Sequence, residues 1–139
     1  MSRNDLDQGQ AIAARAERFV RDVVIPYEKD PRATSHGPTD DLVVELRTRT
    51  RAAGLMTPHI GADGSHLSQR ATALVLQASG LSPLGPVALN VMAPDEGNMY
   101  LLGQVATEAQ KRRFLAPLIS GQARSAFFMT EPAEDDGAG

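Results

Sequence analysis

One run in this 139-residue chain reads as a β-strand, Ser125-Ala126-Phe127-Phe128-Met129-Thr130, and it stands behind four or five segments that read as helix. It is short, apolar and preceded by a turn signal, which suits a strand covered on both faces. A strand leaves its backbone N–H and C=O groups unpaired unless a neighbour supplies a ladder, and no earlier segment offers one. The nine residues behind it, Glu131–Gly139, hold four of the 17 acids and nothing large and apolar, a composition that does not order itself. The expected architecture is therefore mainly α. A helical, bundle-like domain spans residues 1–122, and residues 123–139 open a β domain whose other strands lie outside this chain.

The helices are legible from spacing and punctuation. Over Asp7–Tyr27, Ile12, Ala16, Phe19, Val20, Val23, Val24 and Tyr27 form one apolar stripe, with Arg15, Arg18, Arg21 and Asp22 toward water. Pro26 is expected to end that helix and Asp30–Pro38 to be a loop. Thr39 or Asp40 caps a second helix that buries Leu42, Val43, Leu46 and Ala53 and closes at Gly54, with Leu55 behind it. A third follows Ser68, turns Leu74, Val75 and Ala78 inward and closes at Gly80. Periodicity leaves Val87–Met92 undecided, and its flanking prolines favour helix. Pro94 suits a first helical position, with Met99, Leu101 and Leu102 inward before Gly103. Thr107-Glu108-Ala109-Gln110 has the capping-box pattern, followed by an apolar face of Phe114, Leu115, Leu118 and Ile119 that Pro117 should distort.

Composition excludes several functions. Without the acidic tail the charge is close to neutral and no basic stripe appears, so nucleic acid is not an expected partner. The absence of cysteine removes disulfides, thiolate zinc sites and cysteine nucleophiles. No apolar run approaches the roughly 20 residues of a membrane span, and the polar first ten residues are no secretory signal, so a cytoplasmic location is expected. His36, His59 and His66 sit far apart in loop-like stretches without a carboxylate at helical spacing. They read as surface residues, and no metal site is expected. Arg47 and Arg51 share a helix face that reads as solvated.

Three features admit chemistry. Met92, Met99 and Met129 can fill a core or line an apolar pocket. Gly137-Ala138-Gly139 can bring backbone N–H groups to a phosphate or can simply be a glycine-rich tail. A strand running through Thr130 into Glu131-Pro132 presents a hydroxyl and successive N–H groups at its end. That edge suits a planar heterocycle, with Phe and Met on its face, and equally suits an ordinary strand with Thr as a turn former.

Three runs carry a resemblance: Ala93-Pro94-Asp95-Glu96-Gly97-Asn98-Met99; Thr107 through Leu118 with its Gln110-Lys111 and Phe114-Leu115; and Gly121 followed by Ser125 through Pro132. Together they resemble the acyl-CoA dehydrogenases at the passage from the helical N-terminal domain into the β domain. The Ala93–Met99 run is similar to the subgroup whose eukaryotic members can be fused to a phosphotransferase-like domain. The resemblance implies an FAD enzyme that oxidises the Cα–Cβ bond of an acyl-CoA thioester, passes electrons to a carrier and assembles as a homo-oligomer. It implies that Phe127, Phe128, Met129 and Thr130 lie along the flavin, with Gly137 and Gly139 also at the cofactor, and that Met92 and Met99 help wall the acyl pocket. It places the catalytic glutamate in a C-terminal bundle, so no acid here is expected to be catalytic and the fragment alone is expected to be inactive. Where the family runs Thr-Glu-Pro directly into Gly-Ala-Gly, this chain inserts Ala133-Glu134-Asp135-Asp136. The alternative from the residues alone is a non-enzymatic helical module that docks a partner through the exposed terminal strand at Ala126–Met129.

Overall fold

The structure, a computed structural model, describes residues 3–128. Helix α1 (Arg3–Phe19) buries Ala16 and Phe19 and lies along α3 (Gln69–Ser79). The two backbones approach so closely that a Cβ on Gly9 would stand 2.6 Å from that of Ala71. Pro26 does not end the helical path. The chain widens into a π-turn over Val20–Val24, then tightens into a 3-10 turn over Ile25–Lys29 that carries Pro26 in its first positions. The Ile25 N–H reaches back five residues to the Val20 carbonyl, giving the proline ring room that a regular α-turn denies it.

The 30–38 loop contains a small antiparallel hairpin, β1 (Ala33–Thr34) with β2 (Gly37–Pro38), in which Ala33 faces Pro38. Two-residue strands are too short to leave a periodic signal, which is why this pair reads as loop. Arg32 ties the hairpin to the second helix through both carboxylate oxygens of Asp30 and through Glu45 at 2.9 Å, and Glu45 also accepts from the Tyr27 hydroxyl. The Arg32 contacts hold the Asp30 carboxyl down at about 2.

Helix α2 (Asp40–Ala52) is capped by Thr39, whose hydroxyl accepts from the Leu42 N–H, and it ends before Gly54 at φ +64°. Helix α3 is capped in the same way by Ser68. The run 87–92 is only partly helical. Helix α4 (Gly85–Ala88) takes its start and the remainder is irregular, because Asn90 turns left-handed at φ +59°. These elements enclose the larger core: Ala16, Phe19, Val20, Val24, Leu42, Leu46, Leu55, Ala78, Leu84, Ala88, Leu89 and Val91.

A second core is far smaller. Helix α5 (Asp95–Val105) contributes Met99, and α7 (Ala116–Ile119) with the π-turn before it contributes Leu118 and Leu115, against Ile60. The capping box forms as expected at α6 (Glu108–Gln110). A second π-turn at Lys111–Leu115 again precedes a proline, Pro117, so the distortion expected in the last turn is taken up one turn earlier. Two inward assignments fail. Leu101 is 55% exposed and Phe114 is 47% exposed, because the apolar stripes of these helices are wider than the core they cover. Past Gly121, residues 123–128 adopt no regular structure, and the β1–β2 hairpin is the only sheet among the described residues. The run at 125–128 finds no ladder to join.

Candidate functional site

A buried polar network joins the two cores. Arg47 is buried, not solvated: its guanidinium donates to the Val87 carbonyl at 3.2 Å, the Gly121 carbonyl at 3.2 Å and Asn90 Oδ1 at 2.9 Å. Asn90 Nδ2 donates onward to Thr57 Oγ1 and the Leu118 carbonyl, each at 2.8 Å, and the Thr57 hydroxyl donates to the Ile119 carbonyl. Asn90 and Thr57 both sit at positive φ, a conformation that Asn tolerates and a β-branched residue resists. The network holds them there and fixes α7 against α2 and α4. Arg51, which remains exposed, adds a bond to the Ser120 carbonyl at 2.9 Å.

From that frame the chain is led outward by a latch. Asp95, buried at the start of α5, accepts from both the backbone N–H and the hydroxyl of Ser125, at 2.6 and 2.7 Å, while Asn98 donates to the same hydroxyl at 2.8 Å. Beside the latch lies an apolar cleft of about 350 Å³ between α5 and α7, lined by Leu101, Leu102, Phe114 and Pro117 among others. Beyond the latch, Phe127 is exposed and Phe128 is 98% exposed.

The expected site residues separate into three groups. Phe127 and Phe128 stand open at the end of the described chain. Met92 is partly exposed ahead of α5, whereas Met99 is fully buried in the second core. Met129, Thr130, Gly137 and Gly139 lie outside the described residues, so Phe127 and Phe128 are the only described members of the proposed cofactor set. Local sequence pattern does not mark the latch residues Asp95, Asn98 and Ser125 as site residues. The signal open to sequence reading was an Asp directly after a helix-starting Pro, but its partner stands 30 positions away.

The histidines depart furthest from expectation. His36 is exposed, but His59 is buried and His66 is half-buried. An isolated antiparallel bridge between Ile60 and His66, closed by the Leu67 N–H to the His59 carbonyl at 3.1 Å, sets the two rings side by side with centroids 5.6 Å apart. Glu96, in the first turn of α5, brings Oε1 to 3.4 Å from His59 Nε2. Neither ring nitrogen of His59 has a hydrogen bond, nor has the buried Nε2 of His66. A buried polar group left unmet costs about 1–3 kcal/mol. Burial, with His66 alongside, pushes the His59 imidazole down to about 4, and burial pushes the Glu96 carboxyl up, so both shifts work against an ion pair between them.

No helix among the described residues is long and apolar enough to cross a membrane. Residues 7–122 match the family described as "Acyl-CoA dehydrogenase, N-terminal domain". The chain is 34% identical over 133 residues to acyl-CoA dehydrogenase family member 11 of Gallus gallus, covering 90% of this chain and 17% of that protein. It is 40% identical over 102 residues to the probable acyl-CoA dehydrogenase FadE2 of Mycobacterium tuberculosis, covering 70% of this chain and 25% of that protein. Over 69 residues it is 35% identical to the probable acyl-CoA dehydrogenase IBR3 of Arabidopsis thaliana, half of this chain and 8% of that protein. The chain thus spans between a sixth and a quarter of the length of the first two relatives. No solved structure gives a significant match.

Proposed function

The chain belongs to the acyl-CoA dehydrogenase family, through that family's N-terminal domain, and from this premise we propose that it is the helical N-terminal part of an FAD-dependent enzyme that oxidises the Cα–Cβ bond of an acyl-CoA thioester to the 2-enoyl-CoA. The observation that supports this reading is the latched exit. Asp95 and Asn98 grip Ser125, and the residues that follow carry two exposed aromatic rings away from the helices. Such rings, on a segment with open backbone groups, fit one wall of a planar isoalloxazine. Thr130 is the residue proposed to hydrogen-bond near its reactive edge, with Met129 on its face and Gly137 and Gly139 near its phosphates. Bound FAD supplies the acceptor for the hydride leaving Cβ.

This chain's own residues position and exclude water. Met92 keeps its proposed place on the acyl side, and Met99 acts from behind by filling the core beneath α5. Asp95 is committed to Ser125, Asp30 and Glu45 to Arg32, so none of these acids is free to act as the α-proton base. That base, an electron-carrier partner and a homo-oligomeric assembly are proposed for the whole protein, and residues 1–139 alone are proposed to be inactive.

The test uses the full-length gene product with its flavin. Thr130→Val is expected to lower flavin content or slow the bleaching of flavin absorbance by acyl-CoA thioesters. Unchanged content and unchanged rate remove Thr130 from the site. Residues 1–139 alone are expected not to take up FAD, and a titration saturating at one FAD per chain overturns that part. A full-length product that neither holds flavin nor is bleached by acyl-CoA would favour the helical docking module instead.

A further inference from the structure

We propose that His59, His66 and Glu96 form a binding site for one divalent transition-metal ion, Zn²⁺ foremost, that staples the 57–67 loop to the start of α5. The three side chains offer two imidazole nitrogens and one carboxylate oxygen, and these atoms all lie within 4.8 Å of one another. Two nitrogens with one oxygen suit a borderline metal such as Zn²⁺ and leave a fourth position for water. The distances agree. Metal bonds of about 2.1 Å in a tetrahedron place neighbouring ligand atoms about 3.4 Å apart, and His59 Nε2 stands 3.4 Å from Glu96 Oε1. The His66 ligand atom lies within 4.8 Å of both.

Burial strengthens the case. The His59 side chain is 0% exposed and both of its nitrogens lack a partner, as does the buried Nε2 of His66. Buried imidazole in a protein interior is ordinarily hydrogen-bonded, so unmet nitrogens gathered within 4.8 Å of a carboxylate oxygen call for a ligand that accepts lone pairs. The backbone holds that arrangement. Besides the Ile60–His66 bridge, the loop is pinned by Gly61 N–H to the Ser65 carbonyl at 2.7 Å and Ile60 N–H to the Thr57 carbonyl at 3.1 Å. Tyr100, one turn beyond Glu96 on α5, packs edge-on against His66 with centroids 5.1 Å apart and limits its swing. A polar cavity of about 290 Å³, lined by Asp5, Gln8 and Ser65 as well as the two histidines, gives water access and room for the fourth ligand.

The site is independent of the flavin reading, since none of its residues belongs to the flavin or acyl set. Its effect would still be felt there, because Glu96 is the neighbour of Asp95, the residue that grips Ser125. A metal at Glu96 would fix the first turn of α5 and with it the latch.

The experiment uses the full-length protein, untagged and stripped with a chelator. Titration with Zn²⁺ alone is expected to saturate at one equivalent per chain and to raise the thermal midpoint, and Co²⁺ is expected to give the intense visible bands of a low-coordinate site. Glu96→Gln and His66→Gln, which keep side-chain volume, are expected to weaken Zn²⁺ binding by at least about tenfold each. Their midpoints without metal should stay close to the parent's, which separates loss of a ligand from loss of the fold. Stripped protein that takes up no Zn²⁺ overturns the site. So does Zn²⁺ bound with the same affinity by the Glu96→Gln, His66→Gln double variant, since the ion would then sit elsewhere.

Discussion

Around the first core twelve side chains are buried, and of the large apolar residues described before Asn90 only Val44 and Leu81 are exposed. Around the second, four are buried while Tyr100, Leu101, Val105, Phe114, Phe127 and Phe128 lie open. Hydrophobic stabilisation scales with area removed from water, so the first region carries its own stability and the second leans on it. What connects them is polar. The Arg47–Asn90–Thr57 network lets the weaker region borrow the rigidity of the stronger one, while the open apolar face is left for something else to cover.

The contrast can be broken most severely from the first core. Leu46→Ala, at a fully buried position, is expected to cost about 2–5 kcal/mol and to lower the unfolding midpoint of both regions together, as read by urea denaturation. If the probes of the second region are unmoved, it does not lean on the first. Asn90→Ala comes next, at about 1–3 kcal/mol, because it strips partners from the buried Arg47 and Thr57 at once. Hydrogen exchange should show α7 loosened more than α1, and equal loosening would deny the network its linking role. Leu101→Ser and Phe114→Ser should each change stability by no more than about 0.5 kcal/mol. They should also reduce self-association in light scattering, and a large stability loss would mean that face is already covered.

The smallest effect lies in acid. The folded-state carboxyl of Asp30, held at about 2, is below its ordinary 3.8, so its contribution is present above 3.8 and fades as pH falls from there toward 2. The thermal midpoints of the parent and Asp30→Asn should therefore converge across that window. A gap that stays constant would place the difference elsewhere.

Chemistry confined to three or four neighbouring residues was legible. The caps at Thr39 and Ser68, the box at Thr107 and Gln110, and the stripe on α1 are all written at local spacing. The errors share a different origin. Arg47 reads as solvated from sequence because its partners Asn90 and Gly121 are 43 and 74 residues away. His59 and Glu96 meet only after α3, α4 and the loops around them have folded between them. Periodicity marks Leu101 and Phe114 as apolar positions, but it does not say which apolar faces the chain covers by itself. Of the cofactor set, Phe127 and Phe128, expected on a strand covered on both faces, stand exposed, and the rest lies outside the described residues.

Each of the two π-turns holds a residue more than the α-turn it replaces, and each ends one residue short of a proline. That surplus is slack in the winding, a place where the coil can absorb a one-residue insertion or deletion without tearing its ladder. An equal change of length inside α2 would rotate Leu46 off the interior by about 100°. Length variation among kindred sequences should therefore gather at Val20–Val24 and Lys111–Leu115, leaving the windings on either side uniform.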